Sequence, residues 1–308
     1  MLNDLRFRQL WFFVLAPLVL GCNLNKFAAD QAGSIAVASS GHMRGFWDFE
    51  IARPGTAAAI MQLEAMHSVT PDNEQLTLTL ASAYVGYAFS WVELDLEHAE
   101  DAGRFDEADR LRHRAELLYT RARDLALGAM RRRDDGIDKM LLAKPAELER
   151  YLRDHYDDPK DDVAPVFWAA SAWGSILNLT EDMGLVADLP TVRTLIEHSA
   201  RLDPGFEMAA ALQFLGGFYA QFPAQFGGSP EKGKEYFEQA LKLTGRRAHL
   251  VQVNYARLYA LTVNDKPLFL SLLREVIASD DLGGDVRLPN KMARMRAELL
   301  LSKADRLL

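Results

Sequence analysis

From Met43 to the C-terminus, apolar positions recur in steps of three and four, the spacing that predicts helix after helix. The clearest stretch is 229–279. Ser229 is a suitable N-cap, Pro230 suits a first helical turn, and Glu231 complements the positive end of the dipole. Tyr236, Phe237, Ala240, Leu241 and Leu243 form the first stripe, and Gly245 stops it. Leu250, Val251, Tyr255, Leu258 and Leu261 form the second, before Asn264-Asp265 breaks the chain. After Pro267, a third runs through Leu268, Phe269, Leu272, Leu273, Val276 and Ile277. Over the whole chain the pattern predicts helices at 43–51, 54–68, 74–98, 105–132, 137–156, 163–183, 189–202, 206–221, 230–243, 248–263, 266–279 and 289–305. No run of alternating β-branched residues bounded by turn signals suggests a strand. The connections are short, which forces antiparallel neighbours. Residues 154–162 read as an acidic loop, and 222–229 as a Pro/Gly-rich hinge.

A repeat is faintly visible. Leu202-Asp203-Pro204 closes one helix and opens the next, and Glu238-Gln-Ala-Leu-Lys-Leu and Glu275-Val-Ile-Ala fall at matching points. Small-then-aromatic steps recur at Ala83-Tyr84, Gly217-Phe218 and Asn254-Tyr255, where a small residue lets helices approach and an aromatic fills the next groove. The irregular period is near that of tetratricopeptide (TPR) units. The expected fold is all-α, with TPR-like helical-hairpin repeats stacked as an α-solenoid.

The first residues read as an address. Arg6 and Arg8 precede the apolar run Leu10–Leu20, which is too short to span a bilayer and right for a signal segment. The run ends in Gly21-Cys22 and resembles a bacterial lipobox, which implies cleavage before Cys22 and lipidation of that cysteine. The expected layout is a signal peptide at 1–21, lipidated Cys22 with a small-residue tether at 22–42, and a helical domain at 43–308. Asn23 after the cysteine favours the outer membrane, by analogy with proteobacterial sorting.

Composition narrows the chemistry. Cys22 is the only cysteine, so a disulfide within the chain, a cysteine zinc site and a thiol nucleophile in the fold are excluded. A formal charge of −8 argues against nucleic acid as a partner. The seven histidines show no i, i+4 pair of the helical zinc type, and the acidic loop lacks the glycine and terminal glutamate of an EF-hand. No nucleophile elbow or dinucleotide-binding glycine pattern appears, so no cofactor and no catalytic residue is assigned. Arg131-Arg132-Arg133 is read as cations at a helix end.

Over 165–308 the pattern becomes specific. It contains P-V-F-W-A-A-S-A-W-G, A-D-L-P-T-V-R-T-L-I, R-L-D-P-G-F, F-P-A-Q-F-G-G-S-P-E-K-G-K-E-Y-F-E-Q-A-L and R-L-P-N-K-M-A-R-M-R-A-E-L-L-L. These runs, with the lipobox and the aromatic helix from Tyr84 to Trp91, resemble the T-component (TatT) family of TRAP-transporter-associated lipoproteins. The resemblance implies a periplasm-facing lipoprotein of degenerate TPR hairpins, forming homotrimers with a lined pore or groove. Its implied partner is the periplasmic solute-binding protein of a tripartite ATP-independent periplasmic transporter. One departure is Gly233, where a family helix more often carries Ala; it is expected to loosen that helix by at most about 1 kcal/mol.

The candidate groove residues are aromatic or amide-bearing. Tyr84, Tyr87, Trp91, Trp168, Trp173, Phe214 and Phe226 either fill the core or line an apolar binding surface. Gly227-Gly228 is either a turn or groove-lining backbone, and Asn178, Asn254 and Asn290 either tie helices together or line the groove. The expected role is non-enzymatic: binding a solute-binding protein and guiding a small hydrophobic ligand. Two alternatives stand beside it, a general TPR scaffold lipoprotein for envelope assembly and a helical enzyme acting on envelope components.

Overall fold

The computed structural model describes residues 24–180 and 187–308, and these contain helices and connections with no strand among them. The signal segment, Cys22 and residues 181–183 of a predicted helix lie outside the described residues. The helices are α1 (Leu24–Arg44), α2 (Phe49–Val69), α3 (Glu74–Tyr87), α4 (Glu93–Asp101), α5 (Phe105–Arg133), α6 (Ile137–Leu141), α7 (Pro145–His155) and α8 (Val163–Leu179). They continue as α9 (Leu189–Leu202), α10 (Phe206–Gln221), α11 (Pro230–Leu243), α12 (His249–Asn254), α13 (Lys266–Ala278), α14 (Arg287–Ser302) and α15 (Ala304–Leu307).

Several starts follow from local chemistry. Asp48 accepts the amides of Glu50 and Ile51, Asn73 that of Leu76, and Asp265 that of Leu268 at 3.0 Å, each relieving an orphan first-turn donor. Ser229 does the same for Lys232, with Pro230 in the first turn as expected.

Three features differ from the pattern-based reading. Residues 24–42 of the expected 22–42 tether lie in α1, whose polar and small residues pack on α2 and α3, and the helix expected at 43–51 is instead the end of α1, a break, and the start of α2 at Phe49. The segment expected as one helix at 137–156 is two, because Pro145 needs a fresh first turn. The helices expected at 74–98 and 248–263 each contain a π-helical turn, at Ala88–Val92 and Tyr255–Ala260. Each π turn coincides with an i, i+4 aromatic pair: Tyr87 and Trp91 have centroids 5.5 Å apart, Tyr255 and Tyr259 5.3 Å.

The most extensive packing joins α10 to α11 and α5 to α8, followed by α3 with α5 and α8 with α9, and apolar burial gathers in three main cores. The first includes Leu76, Leu80, Trp91, Tyr119 and Ile176. The second includes Met130, Leu148, Tyr156, Phe167 and Leu195, and the third Phe237, Tyr255, Phe269 and Leu273. Helix α8 contributes to the first two, and α10 to the last two. Leu288 of α14 belongs to the first core, so the last long helix returns to the first ones.

The Gly233 expectation is corrected here. A Cβ at Gly233 would lie 2.9 Å from both Ala220 N and Gly216 O of α10. The glycine is the condition for the close approach of α10 and α11, not a loose point in α11.

Candidate functional site

Where the C-terminal helices meet α3 and α4, charged side chains enter the interior. Arg296, on α14, is 2% exposed. Its Nη2 donates to the Phe89 carbonyl at 2.6 Å, inside the first π turn, and its Nε reaches Glu97 at 3.3 Å. The guanidinium also lies 4.0 Å from the centroid of the Phe89 ring. Arg257, in the second π turn, donates through Nη1 to the same Glu97 at 3.1 Å. Two guanidiniums thus share one carboxylate. Arg296 Nη1 and Arg257 Nε are buried without a hydrogen-bond partner. Single π turns of this kind often mark functional sites, and here the two are joined through Glu97.

Beside this cluster, Tyr119 of α5 donates to Glu93, one helical turn before Glu97. Glu93 is half-buried. Burial pushes its carboxyl up, against the pull of Arg296 and the Tyr119 hydrogen bond. Burial likewise raises the Tyr119 phenol, with the Glu93 charge adding to the rise.

A second pole lies at the start of α10. Glu207, Met208 and Ala209 all have positive φ, a left-handed turn that costs non-glycine residues about 1–2 kcal/mol each. Glu207 pairs with Arg44 of α1 at 2.8 Å, and its side chain keeps 29% exposure although burial raises its pKa. Gln213 donates to the Met208 carbonyl at 3.0 Å and accepts from Asn254 at 2.9 Å. Asn254 precedes Arg257 by one helical turn. The result is a polar seam from Arg44–Glu207 through Gln213–Asn254 to Arg257–Glu97–Arg296. Lys303 adds a closing ion pair to Asp101 at 3.1 Å, tying the end of the chain to α4.

Of the sequence candidates, Asn254 is the one within the seam. Trp168 and Phe206 are half-buried edge-to-face partners, 6.3 Å between centroids, with Phe206 adjacent to Glu207. Tyr84 donates to Glu64, which Arg121 also binds, tying α2, α3 and α5. Tyr87 and Trp91 are buried; Trp91 packs on Phe49, and its Nε1 has no partner. Trp173 donates to Asp188 at 3.1 Å. Phe214 occupies the space over Gly174, where a Cβ would fall 2.3 Å from its ring. Asn178 is exposed near the end of α8.

Phe226 lies on a short 3-10 turn, and its side chain is outside the described structure. Gly227 has φ +90° and Gly228 abuts the Phe222 carbonyl, so this pair forms a tight turn that a Cβ would break. Asn290 accepts from His249 N–H and donates to the Arg247 carbonyl, both at 2.9 Å. It also borders a surface recess of about 310 Å³ shared with Phe46, Trp47, Phe49, Lys291 and Arg294.

The charged runs noted in the sequence are structural ties. Arg133 holds Glu74 and Asp162, and Arg131 holds Asp138. Among the described residues, no group of three or more His, Cys, Asp or Glu side chains is placed to hold a metal ion. No helix among them is long and apolar enough to cross a membrane.

Sequence reasoning missed Arg44, Glu93, Glu97, Glu207, Arg257 and Arg296. The available signal was a charge inside apolar helical stretches, as in N-Y-A-R-L-Y-A and A-R-M-R-A-E-L-L.

Comparison with known proteins gives two findings. The family model described as TRAP transporter T-component matches residues 47–308. A protein of Treponema pallidum (strain Nichols), described as uncharacterized, is 21% identical over 234 residues, covering 76% of this chain and 72% of its own.

Proposed function

The chain belongs to the TRAP transporter T-component family, and from that membership we propose that it is the lipid-anchored, periplasm-facing accessory of such a transport system. Cys22 carries the lipid and holds the protein at the outer membrane. The helical hairpins act as a TPR-like binding frame that engages the periplasmic solute-binding protein, in a homotrimer as the family resemblance implies. The polar seam seats or passes a small apolar or amphipathic molecule released by that partner. The work is binding and guidance, without covalent chemistry.

The observation that carries this reading is the seam itself. Five ionisable groups lie along it, with two π turns and a left-handed turn beside them. Strained or irregular backbone persists where the surrounding structure holds it in place, and clusters at binding sites and switches. A purely architectural junction would be more cheaply built from apolar side chains, since buried ion pairs add little net stability over hydrophobic packing.

The test is size-exclusion chromatography of the mature protein with the periplasmic solute-binding proteins of TRAP transport systems from the same organism. Co-elution is the expected result, and native mass spectrometry of the purified protein is expected to show a retained small molecule. Separate elution at micromolar concentrations of both proteins would overturn the partnership.

A further inference from the structure

We infer that the outer face of the α1–α2 hairpin lies flat on the membrane, so that the body is seated on the bilayer and does not hang from it on a tether. This rests on the lipid at Cys22 proposed above. α1 begins at Leu24, two residues after that cysteine. Two residues span at most about 7 Å. The lipid therefore holds the first turn of α1 at the bilayer surface.

The outward side of the hairpin suits that neighbour. α1 and α2 both pack on α3, and α1 turns Gly33 inward against Leu76. Lys26 pairs with Asp72 at 3.5 Å and Asn73 donates to Asp30 at 3.1 Å, so the end of α2 returns beside the start of α1. Along the outside of α2, Ile51, Pro54, Ala58, Met61, Ala65 and Val69 are all exposed, at steps of three and four. Phe27, Gln31, Ile35 and Ala38 are exposed in the same way on α1. Of the Asp, Glu, Lys and Arg residues from 26 to 69, only Lys26 and Glu50 are exposed, one at the start of each helix. Other charges are drawn to neighbours, as in Arg44–Glu207, Arg53–Asp95 and Glu64–Arg121. A solvated helix turns its charges outward and its apolar stripe inward; here the outer stripe is apolar as well. Contiguous exposed apolar surface of this kind marks a protein or membrane interface. The anchor selects the membrane, because a bilayer attached at the first turn meets this face at an effective concentration that a free partner does not reach. The apolar side chains run the length of the hairpin, about 30 Å for α1, so flat seating covers them and end-on seating leaves most in water. Trp47, 72% exposed, lies at the end remote from the anchor, and its amphipathic ring suits the headgroup level.

The experiment uses the mature chain from residue 22, coupled through Cys22 to maleimide-bearing lipid in phosphatidylcholine vesicles. Cys22 is the only cysteine, so coupling is site-specific. Tryptophan emission is compared in vesicles of plain and brominated phosphatidylcholine, and the Trp47 share is obtained by subtracting Trp47→Phe. Flat seating should quench that share at least twofold. End-on seating, with Trp47 about 30 Å from the anchor, should leave it unquenched and would overturn the inference. Ile35→Glu with Met61→Glu places two charges on the face, at side chains 70% and 75% exposed. This double variant should keep the parent's melting curve and lose the quenching; quenching that persists would overturn the role of the face. Its oligomeric state by analytical ultracentrifugation and its co-elution with the solute-binding protein should match the parent's. A change in either would assign the face to a second copy or to that partner, and would equally overturn the inference. Because the lipid is attached chemically, the quenching reads the face whether or not cells lipidate Cys22. The mass of the protein extracted from cells decides lipidation separately.

Discussion

Gly233→Ala tests the packing of α10 on α11 through two opposed effects of known size. Alanine is favoured over glycine in a helix interior by about 1 kcal/mol, so propensity alone predicts a more stable protein. The added methyl, however, would meet Ala220 N and Gly216 O at 2.9 Å and Ala220 Cβ at 3.1 Å. Ordinary carbon contacts are optimal near about 3.5–4.0 Å. Two of the three atoms are backbone, so no rotamer change relieves them, and the helices must separate by several tenths of an ångström. Their registry is fixed elsewhere: Phe237 of α11 packs over Gly216, where a Cβ would lie 2.7 Å from the ring. Overpacking of this sort costs about 1–3 kcal/mol, and rigid neighbours place it toward the upper end. The net expectation is a loss of about 1–2 kcal/mol, or a few degrees in Tm for a chain of this size. Gly128→Ala is the control. Gly128 lies inside α5, and its Cβ would touch only the Arg132 guanidinium at 3.8 Å, so the substitution should raise stability by about 0.5–1 kcal/mol. Both variants are compared with the parent by urea unfolding and by thermal melts. If Gly233→Ala stabilises the protein as much as Gly128→Ala does, close backbone approach is not what sets the α10–α11 distance.

His198 is 3% exposed with its Nε2 against the Tyr156 carbonyl, and burial lowers its pKa from 6.5 to about 4. The folded state therefore takes up its proton less readily than the unfolded chain. The contribution of this group is complete above pH 6.5 and falls away by about 3 kcal/mol as pH drops toward 4. His198→Gln should flatten that part of the stability–pH curve measured by urea unfolding, and an unchanged slope would remove His198 as its source. Asn290→Ala should cost about 2–3 kcal/mol, because it takes the acceptor from His249 N–H and the donor from the Arg247 carbonyl. Thermal melts measure the loss, and a Tm equal to the parent's would show that Asn290 does not carry this tie.

The helical content and most helix positions were legible along the chain, because a 3.6-residue period of apolar side chains survives without knowledge of any neighbour. The stripes of α9, α10, α11 and α13 lie close to where the spacing put them. Helix starts at Asp48, Asn73, Ser229 and Asp265 are local events as well, each a side-chain oxygen meeting an amide two or three residues on. The family was legible for the same reason, in contiguous runs such as F-G-G-S-P-E-K-G-K-E-Y-F.

What only the tertiary structure decided is which charges face inward. Arg44 and Glu207 are 163 positions apart, and Glu97 and Arg296 are 199 apart. No periodicity links such pairs, since the first depends on α10 meeting α1 and the second on α14 returning to the first core. Gly233 makes the same point at closer range. Propensity depends on one residue and its own helix, so the sequence marked it as a weakness. Its actual role depends on the distance to another backbone, a quantity that exists only once the helices are packed.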